Sequence, residues 1–238
     1  MTPSRATPDL SPTVARRLVQ VTLLLTAATP VLMLVTDVPL AMLIHDAGID
    51  RALRARGTAA RLLSELLKQP GEWYVGLAVA AALAVRFYGR WVPTALAALS
   101  AVLSTSNALV KWAVGRQRPM RGGEFFADGW TFEPFRGGLL GLFQQSNLSF
   151  PSGHTCHAFA VAAAVSLVFP RWSYLAFLAA AGTAAERVLT NSHYLSEVVF
   201  AAALGIAGTL LAYRLLIPYA GSVVSDLPDH QHSRIANS

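Results

Sequence analysis

The stretch ERVLTNSHYLSE, residues 186–197, holds two glutamates, an arginine and a histidine between two strongly apolar segments. Charge beside an apolar barrier is costly unless the charged group is solvated, paired or used in function. The apolar segments therefore decide the fold, and the charged residues between them are candidates for function.

Composition places the chain in a membrane. Of its 238 residues, 54% are hydrophobic and 13% are charged, about half the charged share of a soluble domain. In a membrane protein, the net charge of +6 is expected to come from loop residues and residues at the lipid headgroups. No basic–aromatic patch suggests nucleic acid as a partner. The one cysteine, Cys156, excludes an intrachain disulfide and is expected to be a buried apolar filler.

The apolar pattern predicts an all-α fold, a polytopic membrane helical bundle of about six transmembrane helices. Several apolar runs are near the lower limit of the ~20 residues that a spanning helix needs, so their ends must extend into flanking polar residues. We expect one domain over residues 1–217, with its motifs in about 100–215, and a polar tail at 218–238. The predicted spans are residues 18–36, 73–89, 91–110, 154–169, 172–186 and 196–217.

Residues 50–69 have a different pattern, which fits an amphipathic helix lying in the membrane interface. A plain connecting helix is an equally good interpretation. The apolar face would hold Ala59, Leu62, Leu63, Leu66 and Leu67, and the basic face Arg54, Arg61 and Lys68.

An even number of spans puts both termini on one side of the membrane. The short flanks on that side carry arginine and almost no acidic residues, which predicts that the termini are cytoplasmic. In a bacterial plasma membrane, the opposite ends of the helices would then face the periplasm.

The first of three polar clusters is KWAVGRQRP, residues 111–119. Lys111 and Arg118 are seven residues apart, so a continuing helix would place both cations on one face, and Pro119 would end that helix. A basic flank that only marks a membrane interface is the alternative interpretation.

The second cluster is FPSGHTCH, residues 150–157, in which Ser152 is a candidate N-cap of a helix. A helix N-terminus offers free N–H groups to a phosphate, and His154 would lie in the first turn beside that site. An ordinary capped helix with an interfacial histidine is the alternative. His157, one turn further along, is expected to pack or to support the site indirectly.

The third cluster is the opening stretch itself. If a helix starts near His193, Glu197 lies one turn later on the same face. A carboxylate at one imidazole nitrogen fixes the tautomer and raises the basicity of the other nitrogen. A salt bridge at the membrane edge is the alternative interpretation.

Topology brings the three clusters together, because one helical hairpin separates the first two from the third. Cations, histidines, a carboxylate and a helix N-terminus on one side predict a phosphate-sized anion site with a nucleophile and a proton donor.

These motifs resemble the signature of the type 2 phosphatidic acid phosphatase superfamily, which shares its site with vanadium haloperoxidases. The family motifs are Lys-x6-Arg-Pro, then Pro-Ser-Gly-His, then Ser-Arg-x5-His-x3-Asp. The matching positions here are Lys111, Arg118 and Pro119; residues 151–154; and Arg187, His193 and Glu197.

Two positions depart from the family pattern. Glu197 stands where the family has aspartate, and Glu186 stands where it has serine. The longer Glu197 still reaches an imidazole. Glu186 could pair with Arg187 and compete with phosphate, or it could point toward the bilayer edge and water.

The resemblance implies a mechanism without metal or other cofactor. His193 would attack phosphorus and form a phosphohistidine, Glu197 would orient it, and His154 would protonate the leaving oxygen and then activate water. The residues implied to hold the phosphate oxygens are Lys111, Arg118, Ser152, Gly153 and Arg187.

The expected function is a membrane-embedded phosphatase whose partners are membrane lipids and a lipid phosphate substrate. The resemblance suggests polyprenyl diphosphates, phosphatidylglycerophosphate, phosphatidic acid or lipid A phosphates. Two alternatives remain open. One is a phosphotransferase that passes the same phosphate to another acceptor, and the other is a lipid-binding, anion-binding or transport protein on a disabled site.

Overall fold

The structure is a computed structural model that describes residues 10–88, 90–126, 128–143 and 147–220. These residues form ten α-helices and one small hairpin, which confirms the predicted all-α fold class. The helices are α1 Pro12–Val35, α2 Asp37–Asp46, α3 Ile49–Arg54, α4 Ala59–Lys68, α5 Trp73–Arg86, α6 Trp91–Ser104, α7 Asn107–Val114, α8 Gly153–Val168, α9 Ser173–Leu189 and α10 Leu195–Leu216, and the strands are β1 Met120–Arg121 and β2 Glu124–Phe125.

Five of the six predicted membrane spans each correspond to one helix, and the span at 91–110 covers α6 and the first half of α7. Among the described residues, three helical segments are long and apolar enough to cross a membrane by themselves: Pro12–Val35, Trp91–Val114 and Leu195–Tyr219. The apolar helices α5 and α8 have 14 and 16 residues, which at 1.5 Å per residue gives about 21 and 24 Å. Both are shorter than the ~30 Å hydrocarbon core of a bilayer. The chain is therefore a polytopic membrane bundle in which some helices are short.

The centre of the bundle is α10, which packs against α1, α6 and α8. Small side chains line these contacts, so the helix backbones approach closely, as is usual between membrane helices. Gly205 lies directly against the backbone carbonyl of Cys156. Cys156 itself is free and fully buried, as expected.

The prediction of one amphipathic helix over residues 50–69 is wrong in its extent. The chain forms two helices there, α3 and α4, which are separated by a break around Gly57, whose φ of +76° suits glycine. Within α4, Leu62, Leu63 and Leu66 are exposed, whereas Ser64 faces α9 and is buried. The apolar face of α4 therefore points away from the protein, as an interfacial helix requires.

The predicted domain limits stay predictions. The described chain ends at residue 220, just after a 3-10 turn at Ile217–Tyr219. Most of the predicted polar tail at 218–238 lies outside the described residues.

Candidate active site

A pocket of about 350 Å³ lies where the ends of several helices meet. Six of the eight predicted site residues line it, while Ser152 and Glu197 are buried behind its wall. The lining residues are Gly71, Glu72, Trp73, Ser104, Thr105, Asn107, Lys111, Arg118, Gly153, His154, His157, Arg187 and His193.

Lys111 and Arg118 reach this pocket by a route that differs from the prediction. The helix does not continue to Pro119, because α7 ends at Val114 and Gly115 adopts a left-handed φ of +65°. The chain then runs extended, and the Nε of Arg118 donates to the carbonyl of Leu148 at 3.1 Å. Lys111 is buried in the last turn of α7. Two cations therefore converge on the pocket from a helix and from the loop that follows it.

The N-terminus of α8 forms another part of the pocket wall. Ser152 is the N-cap, as predicted, and its hydroxyl accepts from the backbone N–H of Thr155 at 3.5 Å. Gly153 and His154 follow in the first turn and line the pocket. The free N–H groups of a helix start therefore point toward the region where the cations meet, which is a favourable place for an anion.

His157 has the supporting position that the sequence suggested. It is buried one turn further into α8, and its Nδ1 lies 2.9 Å from the Oγ of Ser104. Both residues line the pocket wall.

His193 and Glu197 form the predicted pair. The Nδ1 of His193 lies 3.0 Å from the Oε2 of Glu197. The same carboxylate oxygen accepts from the backbone N–H of Tyr194 at 3.1 Å and from the hydroxyl of Ser149. Helix α10 begins at Leu195, with Tyr194 as its N-cap, so it starts near His193 as expected. Because Glu197 holds Nδ1, Nε2 is the nitrogen of this ring that is left for chemistry.

The surroundings of His193 favour its neutral form. Burial lowers the pKa of His193 well below its usual value, and the nearby charges of Arg118, Lys111 and Arg187 lower it further. An imidazole that is neutral near pH 7 has a free electron pair, which a nucleophile needs.

A second buried layer behind Glu197 was missed in the sequence. The Nη1 of Arg116 lies 3.4 Å from the Oε1 of Glu197 and 2.8 Å from the Oδ2 of Asp37. The Oδ1 of Asp37 also accepts from the backbone N–H of Ser196 at 2.9 Å. An arginine between two buried carboxylates offsets their charge. Asp37 could have been noticed as an isolated acid in the apolar run LVTDVPLAML, and Arg116 as a third cation in the first motif.

Glu186 pairs with Arg187 and does not point toward the bilayer edge. Its carboxylate accepts from both the Nε and the Nη2 of Arg187. The hydroxyl of Ser64, on α4, donates to the other oxygen of Glu186 at 2.7 Å. Glu186 is buried, whereas Arg187 still lines the pocket. The pair therefore fixes Arg187 at the pocket wall through one side of its guanidinium.

Glu72 is a pocket residue that belongs to none of the three sequence motifs. It lies directly before α5, and its Oε1 is 3.3 Å from the Nε2 of His154. The signal available in the sequence was a single acid placed directly before an apolar run.

Comparison with known proteins identifies the family of the chain. The family model of the PAP2 superfamily matches residues 73–218, more than half of the chain. A lipid A 1-phosphatase of Rhizobium etli is 28% identical over 190 residues, which cover 72% of this chain and 77% of that protein. A lipid A 1-phosphatase of Rhizobium johnstonii is 35% identical over 105 residues, covering 43% of this chain and 39% of that protein. No solved structure matches the chain. The three motifs, their convergence on one pocket and the family match lead to one conclusion: the chain belongs to the PAP2 superfamily.

Proposed function

We propose that this chain is a membrane-embedded lipid phosphatase that works through a phosphohistidine on His193. The observation that carries the proposal is the pocket that His193 shares with His154 and three cationic side chains. A phosphate group in this pocket would meet the charge, the nucleophile and the proton donor that its hydrolysis requires.

In the first step, the Nε2 of His193 attacks phosphorus and the bond from phosphorus to the leaving oxygen breaks. His154 gives a proton to that oxygen, so the lipid leaves as a neutral alcohol. Glu197, at 3.0 Å from Nδ1, stabilises the positive charge that develops on the ring.

In the second step, His154 takes a proton from water and the resulting hydroxide attacks phosphorus. The phosphorus–nitrogen bond breaks, and inorganic phosphate leaves. Lys111, Arg118 and Arg187 hold the non-bridging oxygens in both steps, together with the helix start at Ser152 and Gly153. Donors placed in advance around such oxygens contribute about 3 kcal/mol each to transition-state stabilisation, and the proposed steps use no metal ion.

The relatives guide the choice of substrate. Both are named lipid A 1-phosphatase, which favours a lipid A phosphate over the polyprenyl diphosphates, phosphatidylglycerophosphate and phosphatidic acid that the resemblance also suggests. We therefore take the lipid A 1-phosphate as the first substrate to test.

The arrangement of the helix ends supports a periplasmic pocket in a bacterial plasma membrane. The backbone N–H of Ser11 donates to the carbonyl of Leu167 at 3.1 Å, so the start of α1 lies beside the end of α8, opposite the pocket. The rings of Phe87 and Phe169 stack with their centroids 5.7 Å apart. The turn after α5 and the turn after α8 therefore lie at this same end. The arginines of this end include Arg16, Arg17, Arg86, Arg90, Arg171 and Arg214, and such a cluster favours the cytoplasmic side.

The test is release of inorganic phosphate by the purified protein in detergent. We expect release from lipid A 1-phosphate in the presence of EDTA, and slower release from the other candidate lipids. His193→Ala is expected to reduce turnover at least 1,000-fold, in line with the loss of a covalent nucleophile. His45→Ala, a histidine on α2 outside the pocket, is the matched control and should retain activity.

Brief reaction with labelled substrate should also leave acid-labile phosphate on the wild-type protein and none on His193→Ala. Strict dependence on a divalent metal would contradict the metal-free mechanism. Turnover by folded His193→Ala near the wild-type rate would contradict the role of His193.

A further inference from the structure

Glu72 occupies a defined position at the pocket wall. It is the N-cap residue of α5, but its side chain makes no hydrogen bond to that helix. It points instead to His154, with its Oε1 3.3 Å from the Nε2 of the ring. The backbone before it is tightly packed, because a Cβ on Gly71 would lie 2.7 Å from the carbonyl oxygen of His154. The chain is therefore fixed against the first turn of α8 at this point.

The contact between Glu72 and His154 is significant because of the other charges around the His154 ring. Among the described residues that line the pocket, Glu72 is the one carboxylate. The charged and titratable groups around the ring are Lys68, Lys111, Arg118, His157, Arg187 and His193, besides Glu72. All except Glu72 are cationic or become cationic on protonation, so they repel a protonated imidazole. A general acid must carry its proton before the reaction starts.

We propose that Glu72 is the positioning residue of His154: its carboxylate holds the imidazole ring and increases the fraction of the ring that is protonated for its work as an acid. This inference rests on the proposed phosphatase function. The Nε2–H of His154 stays hydrogen-bonded to Glu72 throughout the reaction. The proton on Nδ1 passes to the leaving oxygen in the first step, and Nδ1 takes a proton back from water in the second.

The same carboxylate connects the site to α4. The Nζ of Lys68, in the last turn of α4, lies 3.6 Å from the Oε1 of Glu72 and 2.7 Å from the Oε2 of Glu65. Glu65, on α4, is thus a carboxylate with the same lysine partner as Glu72, but it does not line the pocket. This makes Glu65→Gln a matched control for Glu72→Gln.

The experiment compares two substrates with different leaving groups. The oxygen released from a lipid A 1-phosphate needs a proton, whereas the nitrophenolate of p-nitrophenyl phosphate is stable without one. Glu72→Gln should lower kcat/KM for the lipid by roughly 10- to 100-fold, part of the range for general acid catalysis. For p-nitrophenyl phosphate the decrease should be less than about threefold, since kcat/KM reports the first bond cleavage.

The pH profile gives a second readout. Without the carboxylate, His154 loses its proton at lower pH, so the alkaline limb of kcat/KM for the lipid should move to lower pH. Glu72→Asp keeps the charge and should restore part of the activity. Glu65→Gln should change neither the profile nor the rates.

An NMR measurement tests the inference independently of turnover. With the ring signal of His154 assigned through His154→Ala, the protonated fraction of this residue at pH 7 should be smaller in Glu72→Gln than in wild type or Glu65→Gln. An unchanged fraction, or equal losses of kcat/KM on both substrates, would overturn the role of Glu72. A wild-type protein that releases phosphate from no substrate would contradict the proposed function instead.

Discussion

Glu197 holds the candidate nucleophile through a single carboxylate oxygen. This oxygen receives the backbone N–H of Tyr194 at 3.1 Å, lies 3.0 Å from the Nδ1 of His193 and accepts from Ser149. The other oxygen faces Arg116 at 3.4 Å. The side chain is fully buried, so these contacts depend on the length of a glutamate side chain.

Shortening this side chain should therefore impair catalysis. Glu197→Asp withdraws the carboxylate by about 1.5 Å, one carbon–carbon bond. We expect kcat to fall about tenfold, with KM for the lipid phosphate nearly unchanged, because the orientation of His193 is lost and the phosphate-binding cations remain. Steady-state kinetics in detergent checks this.

Glu65→Asp makes the same change on α4, away from the pocket, and should leave both constants unchanged. A kcat for Glu197→Asp at the wild-type level would mean that His193 does not depend on the longer side chain.

At the next scale, the end of α7 decides where Arg118 lies. Gly115 has a φ of +65°, and a Cβ at this residue would overlap the backbone carbonyl of Glu133. Its own carbonyl accepts from the N–H of Glu133 at 2.9 Å. The turn that redirects the chain from α7 to Arg118 thus requires glycine for both its conformation and its space.

Gly115→Ala should therefore destabilise the protein more than backbone strain alone would. Gly122→Ala is the matched control, since Gly122 has a φ of +59° and nothing within 4 Å of the added Cβ. Strain at one such residue costs about 1–3 kcal/mol, so we expect Gly122→Ala to lower the apparent Tm by a few degrees.

Gly115→Ala should lower the apparent Tm at least twice as far and raise KM for the lipid phosphate, because Arg118 is displaced. Thermal unfolding in detergent and steady-state kinetics measure the two effects. Equal shifts in Tm for the two variants would show that the contact with Glu133 contributes nothing.

The elements also show what a sequence pattern can and cannot predict. The membrane helices were predictable because an apolar run is a local property of the sequence. The breaks at Gly57 and Gly115 were missed because each depends on a single backbone conformation. The contacts of Asp37 with Arg116 and of Glu72 with His154 join residues 79 and 82 positions apart. No spacing rule relates such residues, whereas Glu197 lies one helical turn from His193 and could be predicted.

At the scale of the whole molecule, the bundle has two different ends. The pocket lies at one end, and the turns that carry Arg86 and Arg171 lie at the other, where Phe87 stacks on Phe169. If the pocket faces the periplasm, a reagent that cannot cross the membrane should reach the pocket end from the periplasmic side and should not reach the opposite end.

Cysteine labelling in right-side-out spheroplasts tests this orientation. Glu124→Cys, at an exposed position of β2 next to the hairpin turn near the pocket end, should react with an impermeant maleimide. Arg171→Cys should react only after the membrane is broken. The native Cys156 is fully buried and gives little background. The reverse pattern of labelling would place the pocket in the cytoplasm.

The pocket lies at one end of a membrane bundle that includes the apolar helices α5 and α8, and under the proposed function the reacting phosphate is carried by a lipid of the same membrane. A lipid substrate then arrives by diffusion in two dimensions. The quantity that controls the encounter is the surface density of the substrate among the other lipids, not its concentration in the surrounding water. Diluting the substrate with inert lipid should slow this protein even when the total amount of substrate in the sample stays the same.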